Sequence, residues 1–280
     1  MRKVSTRNIT DLVSALCIRA NIHLRLDVLF ALKRARRAES NRRAAGALDN
    51  IIENARIAED KMLPVCQDTG MVAVFMEVGS GVEFTGGSLK KAVDAGVMRG
   101  YREGYLRQSV VASAVERVNT KTNTPAVLHV EITEGDSVKI YVMPKGFGSE
   151  NKSAVRMLNP TDGEKGISEF VLDVVKEAGP EACPPFILGI GIGGTFEYAA
   201  LLSKKALLRN IGKTNSGRKM AILEKRILKK VNALGIGAMG FGGRTTALGV
   251  NILDYPTHIA GLPVAVNVCC HALRTAKGVI

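Results

Sequence analysis

The sequence contains no tryptophan, and aromatic residues make up only 5% of its 280 residues. Nucleobases are commonly bound by stacking on exposed aromatic side chains, so this composition disfavours a nucleic-acid-binding function. No apolar run approaches the roughly 20 residues that a membrane-spanning helix requires. Arg2 and Lys3 are followed by Ser5 and Thr6 rather than by an apolar segment, so no secretory signal is visible. We therefore expect a cytoplasmic protein with neither a nucleic acid nor a membrane as partner.

Cysteine is scarce, and no two cysteines stand in a C-x-x-C pair. This spacing argues against a zinc ribbon or knuckle, whose ligands come in such pairs. Five is also an odd number, and without a secretory context a disulfide framework is not expected. The thiols are therefore predicted to be reduced, and available for packing, metal ligation or catalysis.

The chain is rich in hydrophobic residues (46%) and in glycine (29 residues), and its formal net charge is +13. Basic residues cluster at Lys33, Arg34, Arg36, Arg37, Arg42 and Arg43, and again at Lys225, Arg226, Lys229 and Lys230. Solvated helix faces are the simplest interpretation of these clusters. Nucleic acid, an acidic partner subunit, or a field that attracts small anions are the alternatives.

Hydrophobic periodicity predicts an α/β fold in a single domain over residues 1–280. A helical part covers about residues 1–60, with a break near Ser40, and a mixed α/β part covers about residues 61–280. Further helices are predicted from a Ser88 N-cap toward Tyr105, over 163–178, over 197–209 and along 220–234. Strands are predicted over 71–78, 126–133, 138–143, 186–192, 248–253 and 264–268.

Two connections are predicted from turn-forming residues. Gly135-Asp136 favours a tight turn, which predicts that the strands over 126–133 and 138–143 form a hairpin. Residues 79–87, rich in glycine, are predicted to be a loop, and residues 256–258 a turn.

The pentapeptide Cys66-Gln67-Asp68-Thr69-Gly70 stands between an amphipathic segment and an apolar strand. A thiol, an amide and a carboxylate on consecutive residues, closed by glycine, suit a tight connection whose side chains converge on one point. That point is a candidate active site. The alternative is a capped turn with a buried thiol.

Two glycine-rich segments are candidates for binding anions. Residues 144–152 place Gly146 and Gly148 among lysines, where backbone N–H groups can approach a carboxylate or a phosphate. Gly189, Gly191 and Gly194 have the spacing of a dinucleotide-binding G-x-G-x-x-G motif. They lie within the apolar strand, however, and no acidic residue follows at about 20 residues, so an oxidoreductase that binds a dinucleotide is disfavoured.

Cys66, Cys183 and Cys270 each stand at a loop or a strand end beside polar residues or proline. Soft thiolates favour zinc, copper(I) or an iron–sulfur cluster. A cubane held by three cysteines leaves one iron with an open position, which can act as a Lewis acid on a substrate hydroxyl. Cys17 and Cys269 are interpreted as packed thiols.

The motifs resemble, in order and over nearly the whole chain, the alpha subunit of class I fumarate hydratases, a family that includes the L(+)-tartrate dehydratase alpha subunit. The residues that carry this resemblance are Cys66-Gln67-Asp68-Thr69-Gly70, Lys145-Gly146 with Gly148-Ser149-Glu150-Asn151, Cys183-Pro184-Pro185 with Gly193-Gly194-Thr195, and Pro256-Thr257-His258 with Cys270-His271-Ala272-Leu273-Arg274.

The resemblance implies a [4Fe-4S] cluster with three metal ligands, Cys66, Cys183 and Cys270. It implies substrate contacts from Gln67, Asp68, Arg107, Gly146, Gly148 and His258. Among these, Asp68 and His258 are expected to take part in catalysis, because a carboxylate or an imidazole can move a proton at neutral pH. Arg107 can hold a carboxylate bidentately. His271 is expected beside the cluster rather than as a ligand.

The family's single-chain members continue into a second domain that supplies further arginines, a lysine and a catalytic threonine. The resemblance therefore implies that a beta subunit supplies these groups, since the site would be incomplete in this chain alone. It also implies a higher hetero-oligomer of the two subunits. The expected reaction is the reversible hydration of fumarate to L-malate, a small dicarboxylate, and the alternative is dehydration of L(+)-tartrate. A basic nucleic-acid-binding module and a scaffold without a cluster are the rivals from other classes.

Overall fold

The structure, a computed structural model, describes all residues 1–280. The helices are α1 Thr6–Ile22, α2 Leu26–Ala38, α3 Arg42–Asp60, α4 Leu89–Glu103, α5 Phe147–Glu150, α6 Gly163–Ala178, α7 Phe196–Ala206 and α8 Arg218–Asn232. The strands are β1 Arg2–Ser5, β2 Met71–Gly79, β3 Val82–Thr85, β4 Val127–Thr133, β5 Val138–Lys145, β6 Ala154–Leu158, β7 Phe186–Gly194, β8 Ala247–Thr257, β9 Leu262–Cys269 and β10 Ala276–Val279. The predicted α/β fold with a helical N-terminal part is confirmed.

The chain divides into two compact units. Unit 1 comprises Met1–Leu24, Ala55–Phe147 and Arg274–Ile280, and unit 2 comprises Arg25–Asn54 and Gly148–Leu273. The assignment of the whole chain to one hydro-lyase domain stays a prediction. None of the helices combines the length and the apolar character needed to cross a membrane.

Unit 1 is built on a four-stranded sheet with the order β10-β5-β2-β4. Helix α1 packs against α4 and β5, and their apolar faces enclose a core in which Ile9, Val74 and Val97 are fully buried. The Ser88 hydroxyl accepts a hydrogen bond from the Lys91 N–H and caps α4, as predicted.

The predicted hairpin between β4 and β5 is wrong. Strand β2 lies between them and pairs in parallel with β4 and antiparallel with β5. The connection over residues 134–137 passes across the end of β2, where the Gly81 N–H donates to the Gly135 carbonyl at 2.9 Å. The Gly-Asp dipeptide therefore does make a turn, but the turn joins two strands that flank a third.

Unit 2 contains the sheet β6-β9-β7-β8, in which β7 pairs in parallel with β8 and antiparallel with β9. Helix α7 packs directly on β7. A Cβ atom added at Gly189 would lie 2.1 Å from the Ser203 carbonyl oxygen, and one at Gly191 would lie 2.0 Å from that of Ala199. These glycines are thus required for the close approach of a helix to a strand, which explains the G-x-G spacing without a dinucleotide.

Two smaller predictions need correction, and one strand was missed. Strand β3, which pairs with β1, lies within the segment 79–87 predicted as a loop. Pro256 and Thr257 belong to the end of β8 rather than to a turn. Strand β10 at the C-terminus was not predicted, because four residues without an apolar alternation give no strand signal.

The two basic clusters lie on helix surfaces, as the simplest interpretation predicted. Lys33, Arg34 and Arg37 are exposed on α2, and Lys225 and Lys229 are exposed on α8. The opposite faces of these helices are apolar and buried. The arrangement is that of ordinary amphipathic helices.

Candidate active site

The pentapeptide 66–70 is an irregular connection between α3 and β2 in unit 1. Cys66 is half-buried, and its thiol donates to the side-chain oxygen of Gln67 at 3.6 Å. Gln67 is exposed, whereas Thr69 and Gly70 are buried. The first residues of the segment therefore reach the surface of unit 1, and the last ones fix it to the interior.

Buried side chains hold the backbone of this segment in place. The Tyr101 hydroxyl, on α4, donates to the carbonyl oxygens of Thr69 at 2.6 Å and Gly70 at 3.1 Å. The Asn123 amide also donates to the Gly70 carbonyl, at 3.1 Å. Burial raises the pKa of Tyr101 above its usual value, so its hydroxyl stays protonated and remains a donor.

Asp68 connects the pentapeptide to the turn after β5. Its two carboxylate oxygens accept hydrogen bonds from the backbone N–H groups of Gly70 at 3.0 Å and Phe147 at 2.7 Å. Its carbonyl oxygen accepts a hydrogen bond from Arg274 Nη1 at 2.6 Å. Asp68 is therefore held in a defined orientation by three contacts, and it lies directly beside Gly146.

A side chain at position 146 would be crowded by two polar side chains. A Cβ atom there would lie 3.1 Å from Asp68 Oδ2 and 3.1 Å from Arg274 Nη2. The absence of a side chain leaves the backbone of residue 146 close to both groups. This geometry agrees with the predicted use of the turn as a place where backbone atoms approach a ligand.

Arg107 follows α4 in the same unit, and its side chain is exposed. Its carbonyl oxygen accepts a hydrogen bond from the Thr69 hydroxyl at 2.8 Å. Unit 1 thus brings Cys66, Gln67, Asp68, Arg107 and Gly146 together around one connection.

In unit 2, Cys183 and Cys270 lie at the same edge of the sheet. Cys183 precedes β7, Cys270 follows β9, and the two strands are antiparallel, with Ile187 opposite Cys269. The carbonyl oxygen of Cys183 accepts a hydrogen bond from His271 Nδ1 at 3.0 Å. His271 therefore carries a proton on Nδ1 and links the two cysteine segments.

Cys183 has a left-handed backbone, with φ +54°. A non-glycine residue in this region is uncommon and persists only where its surroundings hold it. The contacts that hold it include the bond from its N–H to the Pro180 carbonyl at 3.1 Å and the bond from the Met239 N–H to the Pro184 carbonyl at 2.9 Å. Met239 belongs to the glycine-rich loop 235–246, whose role the sequence did not reveal.

His258 lies elsewhere in unit 2. It follows β8, whose end pairs with the end of β7 at Gly194, whereas Cys183 precedes the start of β7. Strand β7 has nine residues, so at about 3.3 Å per residue the two edges are roughly 25 Å apart. The exposed His258 ring accepts a hydrogen bond from the Ala260 N–H at Nδ1, 3.2 Å away. The structure does not bring His258 to the edge that carries Cys183 and Cys270.

The five cysteines form no disulfide and fall into two groups. Cys17 and Cys269 are buried, at 0% and 3% exposure, which confirms that they are packed thiols. Cys66, Cys183 and Cys270 are partly exposed. Within each unit, no three His, Cys, Asp or Glu side chains form a group that could hold a metal ion; one of the predicted ligands lies in unit 1 and the other two lie in unit 2.

Residues 10–279 match the fumarate hydratase (Fumerase) family. The match covers nearly the whole chain, so the chain belongs to this family, and the prediction of a hydro-lyase is confirmed at that level.

Two relatives refine the comparison. A Methanocaldococcus jannaschii protein, provisionally named an L(+)-tartrate dehydratase subunit alpha, is 43% identical over 276 residues, which cover 96% of each chain. The L(+)-tartrate dehydratase subunit alpha of Escherichia coli strain UTI89 is 31% identical over 280 residues, which cover 98% of this chain and 91% of that protein.

Proposed function

We propose that this chain is the alpha subunit of an iron–sulfur hydro-lyase that reversibly hydrates fumarate to L-malate. The observation that carries the proposal is the sorting of the cysteines. The three thiols that the motifs single out as ligands, Cys66, Cys183 and Cys270, are partly exposed, whereas the other two are buried. The family membership supports the same assignment.

Three thiolates suit a [4Fe-4S] cluster by their chemistry. When bound, such a cluster supplies a Lewis-acidic iron at which a substrate hydroxyl can be activated. In this chain the proposed ligands are Cys66 from the pentapeptide and Cys183 and Cys270 from the edge shared by β7 and β9.

The other proposed substrate contacts, apart from His258, are groups of unit 1 and the backbone of Gly148 in unit 2. Gln67 and the guanidinium of Arg107 are exposed and can bind a substrate carboxylate and hydroxyl. Asp68, held by the N–H groups of Gly70 and Phe147, can accept a proton or a hydrogen bond from the substrate. Backbone groups at Gly146 and Gly148 can contact a second carboxylate.

His258 lies at the edge of its own sheet opposite to Cys183 and Cys270, so we propose that it contacts substrate only in a site formed by another copy of the chain. A His258→Asn variant, measured in the reconstituted enzyme, tests that role separately. Loss of turnover with unchanged iron content is the expected result.

The relatives' designation as alpha subunits supports a beta subunit as partner, and a larger hetero-oligomer of the two is part of the proposal. The beta subunit would supply the rest of the catalytic groups. Without it, we expect the chain to bind its cluster but to be inactive.

The test is anaerobic co-expression with the beta chain, followed by iron and sulfide analysis. We expect Cys66→Ser, Cys183→Ser and Cys270→Ser to lose most of the cluster. Cys17→Ala and Cys269→Ala are matched controls, and we expect both to retain it. An intact cluster in all three serine variants would reject the proposal.

A second candidate activity is dehydration of L(+)-tartrate to oxaloacetate, which the names of the relatives favour. Tartrate differs from malate by one more hydroxyl. The ratio of kcat/KM for L-malate and L(+)-tartrate, measured on the same alpha–beta preparation, distinguishes the two.

A further inference from the structure

Arg274 is a buried cation beside the candidate active site. Only 2% of its surface is exposed, its hydrogen bonds go to neutral oxygens, and the nearby carboxylate of Asp68 lies against the same face of Gly146. Nη1 donates to the Asn21 side-chain oxygen at 3.0 Å and to the Asp68 carbonyl at 2.6 Å, and Nε has no hydrogen-bond partner. A buried charge that is bound only by neutral oxygens is costly, and such arrangements concentrate at functional sites.

The guanidinium lies close to two residues that are proposed to bind substrate, Asp68 and Gly146. Nη2 lies against Gly146, on the side where Asp68 Oδ2 also lies. A second buried cation, Lys145, donates from Nζ to the Gly146 carbonyl at 3.3 Å. Two cations and the Asp68 carboxylate therefore border the turn at Gly146, and the burial of both cations limits the screening of their field by water.

We propose that Arg274 is a positioning residue for dicarboxylate binding. It fixes the backbone of Asp68 against the Gly146 turn, and its charge favours a substrate carboxylate at that turn. Since the guanidinium is buried, Arg274 acts through Asp68 and Gly146 and does not contact the substrate. This inference rests on the proposed function.

The experiment compares Arg274→Gln and Arg274→Lys with the wild-type alpha–beta complex, prepared without oxygen. Arg99→Gln is the matched control, because Arg99 is a half-buried arginine of the same unit and also has a buried Nε that lacks a partner. It pairs with Asp11 and makes no hydrogen bond with the pentapeptide or with Gly146. The measurements are KM and kcat for L-malate, the Kd of succinate as a non-reacting dicarboxylate, the iron and sulfide content, and the thermal unfolding midpoint.

For Arg274→Gln we expect KM and the succinate Kd to rise at least 10-fold, with iron content unchanged. Arg274→Lys keeps the charge but not the planar fork, so its succinate Kd should stay within about threefold of wild type while kcat falls. Arg99→Gln should match wild type. If Arg274 had only a structural role, both variants would instead have a changed unfolding midpoint, and their succinate Kd values would not differ from each other.

The inference is overturned if Arg274→Gln is folded and its KM and succinate Kd lie within twofold of wild type. Should Arg274→Gln fail to fold, Arg274→Lys decides: wild-type kcat together with a wild-type Kd would show that the fork has no positioning role. A wild-type complex without cluster or turnover refutes the proposed function instead, and a wild-type complex that binds no succinate refutes both.

Discussion

Replacing Tyr101 with phenylalanine removes the hydroxyl that holds the pentapeptide. Tyr101 is fully buried, and its hydroxyl is the donor to the Thr69 carbonyl as well as one of two side-chain donors to the Gly70 carbonyl. After the substitution, Gly70 keeps the bond from Asn123, whereas the Thr69 carbonyl loses the Tyr101 donor. Leaving a buried acceptor without its partner costs about 1–3 kcal/mol. We expect the free energy of unfolding to fall by that amount.

Urea denaturation followed by circular dichroism measures the change. Tyr105→Phe is the matched control: it removes the same hydroxyl in the same unit, from a side chain that is 94% exposed, and should leave stability unchanged within about 0.5 kcal/mol. If Tyr101→Phe proved as stable as Tyr105→Phe, the hydroxyl would not hold the segment, and the account of how unit 1 orders its polar residues would have to be abandoned.

Two further predictions concern packing and thiol reactivity. Gly191→Ala should destabilise unit 2 by about 3 kcal/mol, because the new Cβ would overlap the Ala199 carbonyl. The control is Gly46→Ala on α3, which should be neutral or stabilising because nothing lies within 4 Å of the added Cβ. Equal urea midpoints for the two variants would contradict this prediction. In the native metal-free chain at pH 8, iodoacetamide should modify Cys66 but not Cys17, because burial raises the pKa of the Cys17 thiol and only the thiolate reacts. Peptide mass spectrometry measures the extent of modification at Cys66 and Cys17. As a control, unfolding in urea should make Cys17 reactive. Equal modification rates of the two thiols in the native chain would refute the argument.

The helices could be predicted from the sequence because their signals are local. The prediction over residues 163–178 coincides with α6, and Ser88 caps α4 as expected. The break predicted near Ser40 falls between α2 and α3, whereas the interruption between α1 and α2 was not predicted. Where the prediction succeeded, the spacing of apolar residues and a capping group lie within one short segment.

Strand pairing could not be predicted in the same way. The bounds of β4 and β5 were close to correct, but their pairing was wrong because β2, some 50 residues earlier in the chain than β4, occupies the space between them. A Gly-Asp turn specifies a change of direction and not the identity of the neighbouring strand. The short strands β1, β3 and β10 are stabilised by their partners and show little pattern of their own.

For the candidate site, motifs identified the residues at the surface and missed those beneath them. Gln67, Asp68 and Gly146 were recognised because polar residues and glycine cluster at connections. Tyr101 belongs to no motif, and Arg274 was part of a motif but had no role assigned, because no local pattern marks their contacts with the distant pentapeptide. The distance between His258 and Cys183 could not be predicted either, because it follows from the pairing register of β7 and β8.

Buried side chains of unit 1 donate hydrogen bonds to the main-chain carbonyl oxygens of Asp68, Thr69 and Gly70 and so hold the pentapeptide in place. Because those acceptors exist whatever the side chain, the exposed Gln67 can be exchanged without disturbing the scaffold that presents it. The substrate contact proposed for Gln67 can thus change with little loss of stability, and a Gln67 variant is a direct way to look for a shift between substrates with one and with two hydroxyl groups.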